Sequence, residues 1–129
     1  MSGEPQLRFV LHEHFARHHH FDLRLEKDGV LKSWAVPKGL PEKTGERRLA
    51  IAVEDHPSDY ISFTGTIPEG QYGAGDVTIK DTGTYELLSW TVERIEVLLH
   101  GQVFSGKYVL IRFKKAGDNE WLVLRAKDT

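Results

Sequence analysis

The sequence contains no cysteine. Disulfides and thiolate metal sites are therefore excluded, and any metal must be held by histidine, carboxylate or backbone oxygen. Also lacking is an apolar run long enough to span a membrane. The opening MSGEPQLRF carries no apolar stretch of the kind a secretory signal needs, so a soluble cytoplasmic protein with no membrane partner is expected. An excess of one charge is missing too: 17 Lys and Arg face 19 Asp and Glu, for a net charge of -2. Proteins that coat nucleic acid by bulk electrostatics are usually strongly basic. Any nucleic-acid affinity here must come from a local pocket. No internal repeat or low-complexity linker is visible, and 129 residues suit one domain, 1–129, with 1–8 as a loose N-terminal arm.

What the sequence does have is strand patterning. Phe21, Leu23 and Leu25 alternate with His20, Asp22, Arg24 and Glu26, the period of a half-buried strand. Lys27-Asp28-Gly29 reads as a hairpin turn, and Val30 to Val36 as the return strand closed by Pro37. Leu49 to Glu54 alternates again and is stopped at Pro57. Asp76 to Lys80 and Thr84 to Leu88 read as a second hairpin turning at Thr82-Gly83. Ile95 to Leu99, Lys107 to Phe113 and Trp121 to Arg125 complete the strands, with Gly101, Gly106 and Gly117 at turns. Short helical turns are expected at His14 to His18 and Pro41 to Gly45; Thr91 to His100 reads as strand from its alternating branched residues. The fold expected is mainly β: a small antiparallel barrel with a curved sheet and few helical turns. GTIPEGQYGAG, Gly65 to Gly75, reads as a glycine-rich loop at the barrel rim, since it lacks the ending of a P-loop.

Histidine is concentrated: five of the seven lie between His12 and His20. Residues two apart on a strand share a face, about 6.6 Å apart, so His20 and Asp22 can lean onto one ion between them. Arg24 follows on that face, placed to grip an anion bound to the same ion. A third ligand is needed, and the residues leave His12, His14 and His18 open. In VEDHPSDY, strand parity puts Glu54 and His56 on the side of the small Ala50 and Ala52, making His56 a ligand, proton donor or phosphate contact. Lys38 and Arg48 flank these strands and could supply phosphate contacts.

HEHFARHHHFDLRLEKDGVLKSWAVPKG, RLAIAVEDHPSDY and GTIPEGQYGAGDV together resemble the 3′-phosphoesterase domain of bacterial ligase D, in a stand-alone form, over about Phe9 to Lys127. That enzyme serves non-homologous end joining. The resemblance implies a small β-barrel with its site in a groove of curved sheet. It implies His14, His20 and Asp22 as metal ligands, Arg24, His56 and Tyr60 as catalytic residues, and Lys38, Arg48 and Glu54 as further site residues. Arg24, His56, Lys38 and Arg48 would bind the substrate phosphate, with Glu54 in support. The activity implied is removal of 3′-phosphates and 3′-terminal ribonucleosides from primer-template DNA ends, with manganese first and zinc or cobalt as alternatives. A separate DNA ligase and polymerase would be partners. The chain departs from the family at His12-Glu13, where Gln-Lys is common, and at Phe21, where tyrosine is common. The segment before Phe9 is short beside the family's N-terminal arm, which bears on ribonucleoside removal. Two other functions share these residues. A non-haem Fe(II) oxygenase could use His20, Asp22 and a distal His56, and a non-catalytic DNA-end or phosphate-binding module could use the same groove.

Overall fold

The computed structural model describes residues 6–113 and 119–127. Nine strands run in chain order: β1 (Leu7–Phe15), β2 (His20–Lys27), β3 (Val30–Val36), β4 (Arg47–Pro57), β5 (Gly65–Ile67), β6 (Gly75–Trp90), β7 (Arg94–Gly101), β8 (Ser105–Arg112) and β9 (Glu120–Arg125). A short 3₁₀ helix, Ser58–Ser62, separates β4 from β5. The order across the sheet is β1-β2-β3-β4-β9-β8-β7-β6-β5, and β1 also pairs with β6. Eight antiparallel strands therefore close into a barrel, which leaves no long unpaired edge among the described residues. β5 is an appendage on the first residues of β6.

The alternation of β2 sets the two faces. Leu23 and Leu25 point into the barrel with Phe9, Leu11, Trp34, Val36, Leu99 and Leu110, all buried. Each such aliphatic side chain contributes about 1.5–3 kcal/mol on burial. The two most buried tyrosines keep their hydroxyls paired: Tyr85 donates to the Glu26 carbonyl at 2.6 Å and Tyr108 to the Pro41 carbonyl at 2.8 Å. A smaller cluster of Val10, Leu31 and Ile61 lies on the opposite face of the sheet, with Tyr60 and Ile79 against it. It seats the 3₁₀ helix on the outside of the barrel and so builds one wall of a groove.

Several expectations need correction. The segment from Asp76 to Leu88 is not a hairpin but part of one 16-residue strand, β6. Gly83 marks a change of partner, since it pairs with Phe9 of β1 and Gly101 of β7. A Cβ there would meet the His100 carbonyl oxygen at 2.3 Å. The glycine that resembles a turn is a close crossing of strands. β1 starts at Leu7, inside the expected loose arm, and carries His14, so the bend falls at residues 16–18. Pro41 to Gly45 is a non-helical turn; the single helical turn among the described residues is Ser58–Ser62. Gly101 ends β7, Gly106 lies inside β8, and Gly117 is outside the described residues.

Candidate functional site

The β1–β2 register pairs His14 directly with His20 and His12 with Asp22, while β2–β3 pairs Arg24 with Ser33. One patch on the outer face of the barrel thus gathers His12, His14, Asp22, Arg24 and Ser33, all buried. His14, Asp22 and Arg24 of this patch, with His20, line a cleft of about 730 Å³ that His56 and Tyr60 and the segment from Ile67 to Gly75 also line.

Ligand atoms of His14, His20 and Asp22 lie within 4.8 Å of one another. His14 Nδ1 is 3.8 Å and His20 Nε2 3.4 Å from Asp22 Oδ2. The outer nitrogen of each ring is already committed. His14 Nε2 donates to the Gly73 carbonyl at 2.8 Å, and His20 Nδ1 to the His18 carbonyl at 2.8 Å. A carbonyl only accepts, so each neutral ring turns its lone pair toward the carboxylate. Two lone pairs and a carboxylate facing one another are unfavourable unless a cation or proton sits between them. Carbonyls behind ligating histidines are the usual means of fixing tautomer and orientation. The donor set, nitrogen and carboxylate oxygen without sulfur, fits a Mn²⁺, Zn²⁺ or Co²⁺ ion. Burial pushes the Asp22 carboxyl up, but His20, Arg24 and His14 outweigh it and hold the group below the usual carboxylate range. Its contact with Asp22 raises the pKa of His20, so a proton competes with an ion for this position.

Arg24 is held on three sides. Its Nε donates to His12 Nδ1 at 3.1 Å, and its Nη1 to Ser33 Oγ at 2.9 Å and to His56 Nδ1 at 3.1 Å. Its Nη2 is left 3.5 Å from Asp22 Oδ2, and its Cζ lies 5.0 Å from the centre of the Tyr60 ring. The single ring proton of His12, on Nε2, is donated to the Phe63 carbonyl at 3.0 Å. Burial and then the Arg24 charge lower the His12 pKa to about 4, so it is neutral. The same two causes lower that of His56. His56 Nδ1 also lies 3.2 Å from the Glu54 carbonyl oxygen, so this nitrogen faces both the Arg24 guanidinium and a backbone acceptor. Tyr60 packs on His56 at 4.6 Å and stacks on Phe63 at 4.8 Å.

This pairing of a His₂Asp cluster with a fixed arginine can be set against known proteins. Residues 12–112 match the family profile described as the DNA ligase D 3′-phosphoesterase domain. The chain belongs to the DNA ligase D 3′-phosphoesterase domain family. It is 51% identical over 132 residues to the multifunctional non-homologous end joining protein LigD of Mycolicibacterium smegmatis, covering 94% of this chain and 17% of that protein. It is 49% identical over 124 residues to the Mycobacterium tuberculosis multifunctional non-homologous end joining DNA repair protein LigD, covering 93% and 16%. The Pseudomonas aeruginosa LigD is 45% identical over 128 residues, covering 95% and 15%. The chain thus spans about one-sixth of the length of these relatives.

Of the residues expected at the site of this 3′-phosphoesterase-family chain, the cleft brings together His14, His20, Asp22, Arg24, Glu54, His56 and Tyr60. Lys38 and Arg48 are not on its lining. Arg48 Nη1 is spent on the Lys38, Gly39 and Leu40 carbonyls and Nη2 on Glu46, so it ties the loop after β3 to β4. The parity expected for β4 is also corrected. Ala50 and Ala52 face the barrel core. Leu31 pairs with His56 but Ser33 with Val53, so β4 bulges at Glu54–Asp55 and His56 joins Val53 on the cleft side. His56 stands outside the His14–His20–Asp22 cluster, so the triad imagined for an oxygenase is not assembled. Sequence reasoning left two members unassigned. His12 is an Arg24 support rather than a ligand, and Gly73, in the loop taken for a mere rim, fixes His14. The loop reaches β1 because Gly75 has no side chain: a Cβ would lie 2.4 Å from the Phe15 carbonyl oxygen.

Proposed function

We propose that this chain removes the terminal phosphate from DNA 3′ ends in double-strand break repair, with a divalent ion held by His14, His20 and Asp22. The observation that carries this reading is the Arg24 guanidinium edge set 3.5 Å from Asp22, beside two imidazoles whose lone pairs converge there. Arg24 would hold a phosphate beside the three residues that would hold the ion. Manganese is the first choice, with zinc or cobalt as alternatives. When bound, the ion supplies Lewis acidity toward a phosphoryl oxygen and acidifies a water.

The protein's own groups do the rest. Arg24, pinned at Nε and Nη1, presents Nη2 to the phosphate without reorganising as charge develops. His56 lines the cleft beside Arg24 and is placed to contact a phosphoryl or departing oxygen; protonation for full acid catalysis is opposed by burial and then by the Arg24 charge. Tyr60 packs against both and keeps the pair in place. Glu54 lines the cleft beside them. Where the penultimate sugar is a ribose, its 2′-hydroxyl adjoins the phosphate that carries the terminal nucleoside. Its attack, which proximity favours, would expel that nucleoside through the 5′ oxygen and leave a 2′,3′-cyclic phosphate for water to open. The same site would then trim 3′-ribonucleosides from primer-templates, with a ligase and a polymerase acting on the cleaned end. No helix among the described residues is long and apolar enough to cross a membrane, and we place the activity in the cytoplasm.

An oligonucleotide phosphorylated at both ends tests the reading in the presence and absence of Mn²⁺. Metal-dependent conversion of the 3′-phosphate to hydroxyl, with the 5′-phosphate kept, is the expected result. Loss of both phosphates at equal rates would mean a general phosphatase. Binding without turnover would mean a DNA-end sensor.

A further inference from the structure

The cleft is larger than a phosphate requires: about 730 Å³, within the range of about 300–1,000 Å³ that takes drug-sized ligands. Beyond the charged residues its lining includes Phe15, Ile67, Tyr72, Ala74 and Val77. Tyr72 is 85% exposed, and among the described residues its ring has no stacking, cation or hydrogen-bond partner. It sits in the chain next to Gly73, whose carbonyl holds His14 at 2.8 Å, and Phe15 sits next to His14. The two aromatic residues therefore enter the cleft from the two segments that meet at the metal-ligand histidine. Phe15 is itself stacked on His19, with centroids 4.8 Å apart and planes 6° from parallel. The Gly75 contact with Phe15 presses the loop onto the end of β1 and keeps Tyr72 close to the cluster.

From this juxtaposition we infer that Tyr72 is a stacking platform for the nucleobase of the nucleoside that carries the reacting 3′-phosphate. The inference rests on the end-processing reading of the same site. An exposed aromatic ring with a free face, beside cationic groups such as the Arg17 and Arg24 that line this cleft, is how a protein gains affinity for a strand end without reading its sequence. All four bases offer a π face, so the platform accepts any terminal base and rejects a base-free end. Stacking also orients the sugar, so its 3′ oxygen approaches the cluster from a fixed side.

The test uses the full chain with Mn²⁺ and 3′-phosphorylated oligonucleotides that differ only at the last position, a normal nucleotide or a base-free tetrahydrofuran. One base stack corresponds to roughly 5- to 150-fold in affinity. Tyr72→Ala should raise KM by that order on the normal end, Tyr72→Phe should restore it, and neither should change KM on the base-free end. Equal loss on both ends would overturn the inference, since Tyr72 would then act through the loop that holds His14. No loss on either end would also overturn it. A second arm is independent of turnover: 2-aminopurine as the last base, fluorescence read on binding. A change with wild type that Tyr72→Ala abolishes supports stacking even if the wild type removes no phosphate, in which case only the end-processing reading fails. A signal identical in both proteins overturns the platform whatever the activity.

Discussion

Replacing Arg24 by lysine keeps the charge and removes the fork, which makes it a sharp probe of the anion pocket. The guanidinium spends Nε on His12 and Nη1 on Ser33 and His56, at 2.9–3.1 Å, leaving Nη2 near Asp22. An ammonium on a flexible stem cannot reproduce three donors in that plane. His12 Nδ1, on a residue 0% exposed, would lose its donor. A buried acceptor left without a partner costs about 1–3 kcal/mol, and that is the destabilisation expected for Arg24→Lys. Arg24→Ala should cost more, about 3–5 kcal/mol, because it leaves the buried Asp22 carboxylate without its cation. Added Mn²⁺ should recover part of that loss by supplying a positive charge at Asp22. Both variants should keep bound metal but lose turnover, by roughly 10²-fold or more for alanine. Urea unfolding with EDTA and with Mn²⁺, paired with single-turnover release of 3′-phosphate, measures each quantity. Arg24→Lys with wild-type stability and rate would refute the planar-fork argument.

Three further outcomes follow from the same contacts. His56→Ala should retain metal while slowing turnover roughly 10²-fold, and His56→Gln, which keeps an N–H donor, should retain more; loss of metal from His56→Ala by elemental analysis would make His56 a ligand. Asp81 accepts from the backbone N–H groups of Thr82, Gln102, Val103 and Phe104 at 2.8–3.1 Å and fastens the β7–β8 turn to β6, so Asp81→Ala should destabilise the barrel by about 3–5 kcal/mol, read as a lowered urea midpoint. The hydrogen bond from Arg8, followed by its charge, holds the Glu26 carboxyl below its ordinary pKa, although burial opposes this; that stability is present above the unfolded-state pKa and is lost as pH falls through the folded-state value. Wild type should therefore lose slightly more stability than Arg8→Ala between pH 6 and pH 3, by less than about 1 kcal/mol because the pair is partly solvated. Identical acid limbs would remove the pair from the account.

The legible parts of the sequence were those where one local rule decides. Strict alternation and the Asp28-Gly29 turn, both residues at positive φ, were enough for β2, β3 and the face shared by His20, Asp22 and Arg24. The harder parts depend on partners distant in the chain. Thr82-Gly83 has turn chemistry, yet β6 runs through it because β1 and β7 both pair there. One extra residue at the β4 bulge reversed the side on which His56 emerges. The choice of His14 over His12 follows from where each ring finds a carbonyl, Gly73 for one and Phe63 for the other, both more than 50 residues away in the chain. Arg48 carries the charge of a phosphate ligand, but three loop carbonyls claim it first.

The central claim is that His14, His20 and Asp22 hold an ion on which 3′-phosphate removal depends. Asp22→Asn tests it most directly, because the change keeps size and removes the charge that both imidazoles face at 3.4 and 3.8 Å. Metal-stripped wild type and variant, titrated with Mn²⁺, are compared for bound manganese and for conversion of a 3′-phosphate to hydroxyl, with circular dichroism to confirm the barrel. Wild type should bind about one ion per chain at saturation and process the end, while the folded variant does neither. A folded Asp22→Asn protein that retains both manganese and the wild-type rate would contradict the claim.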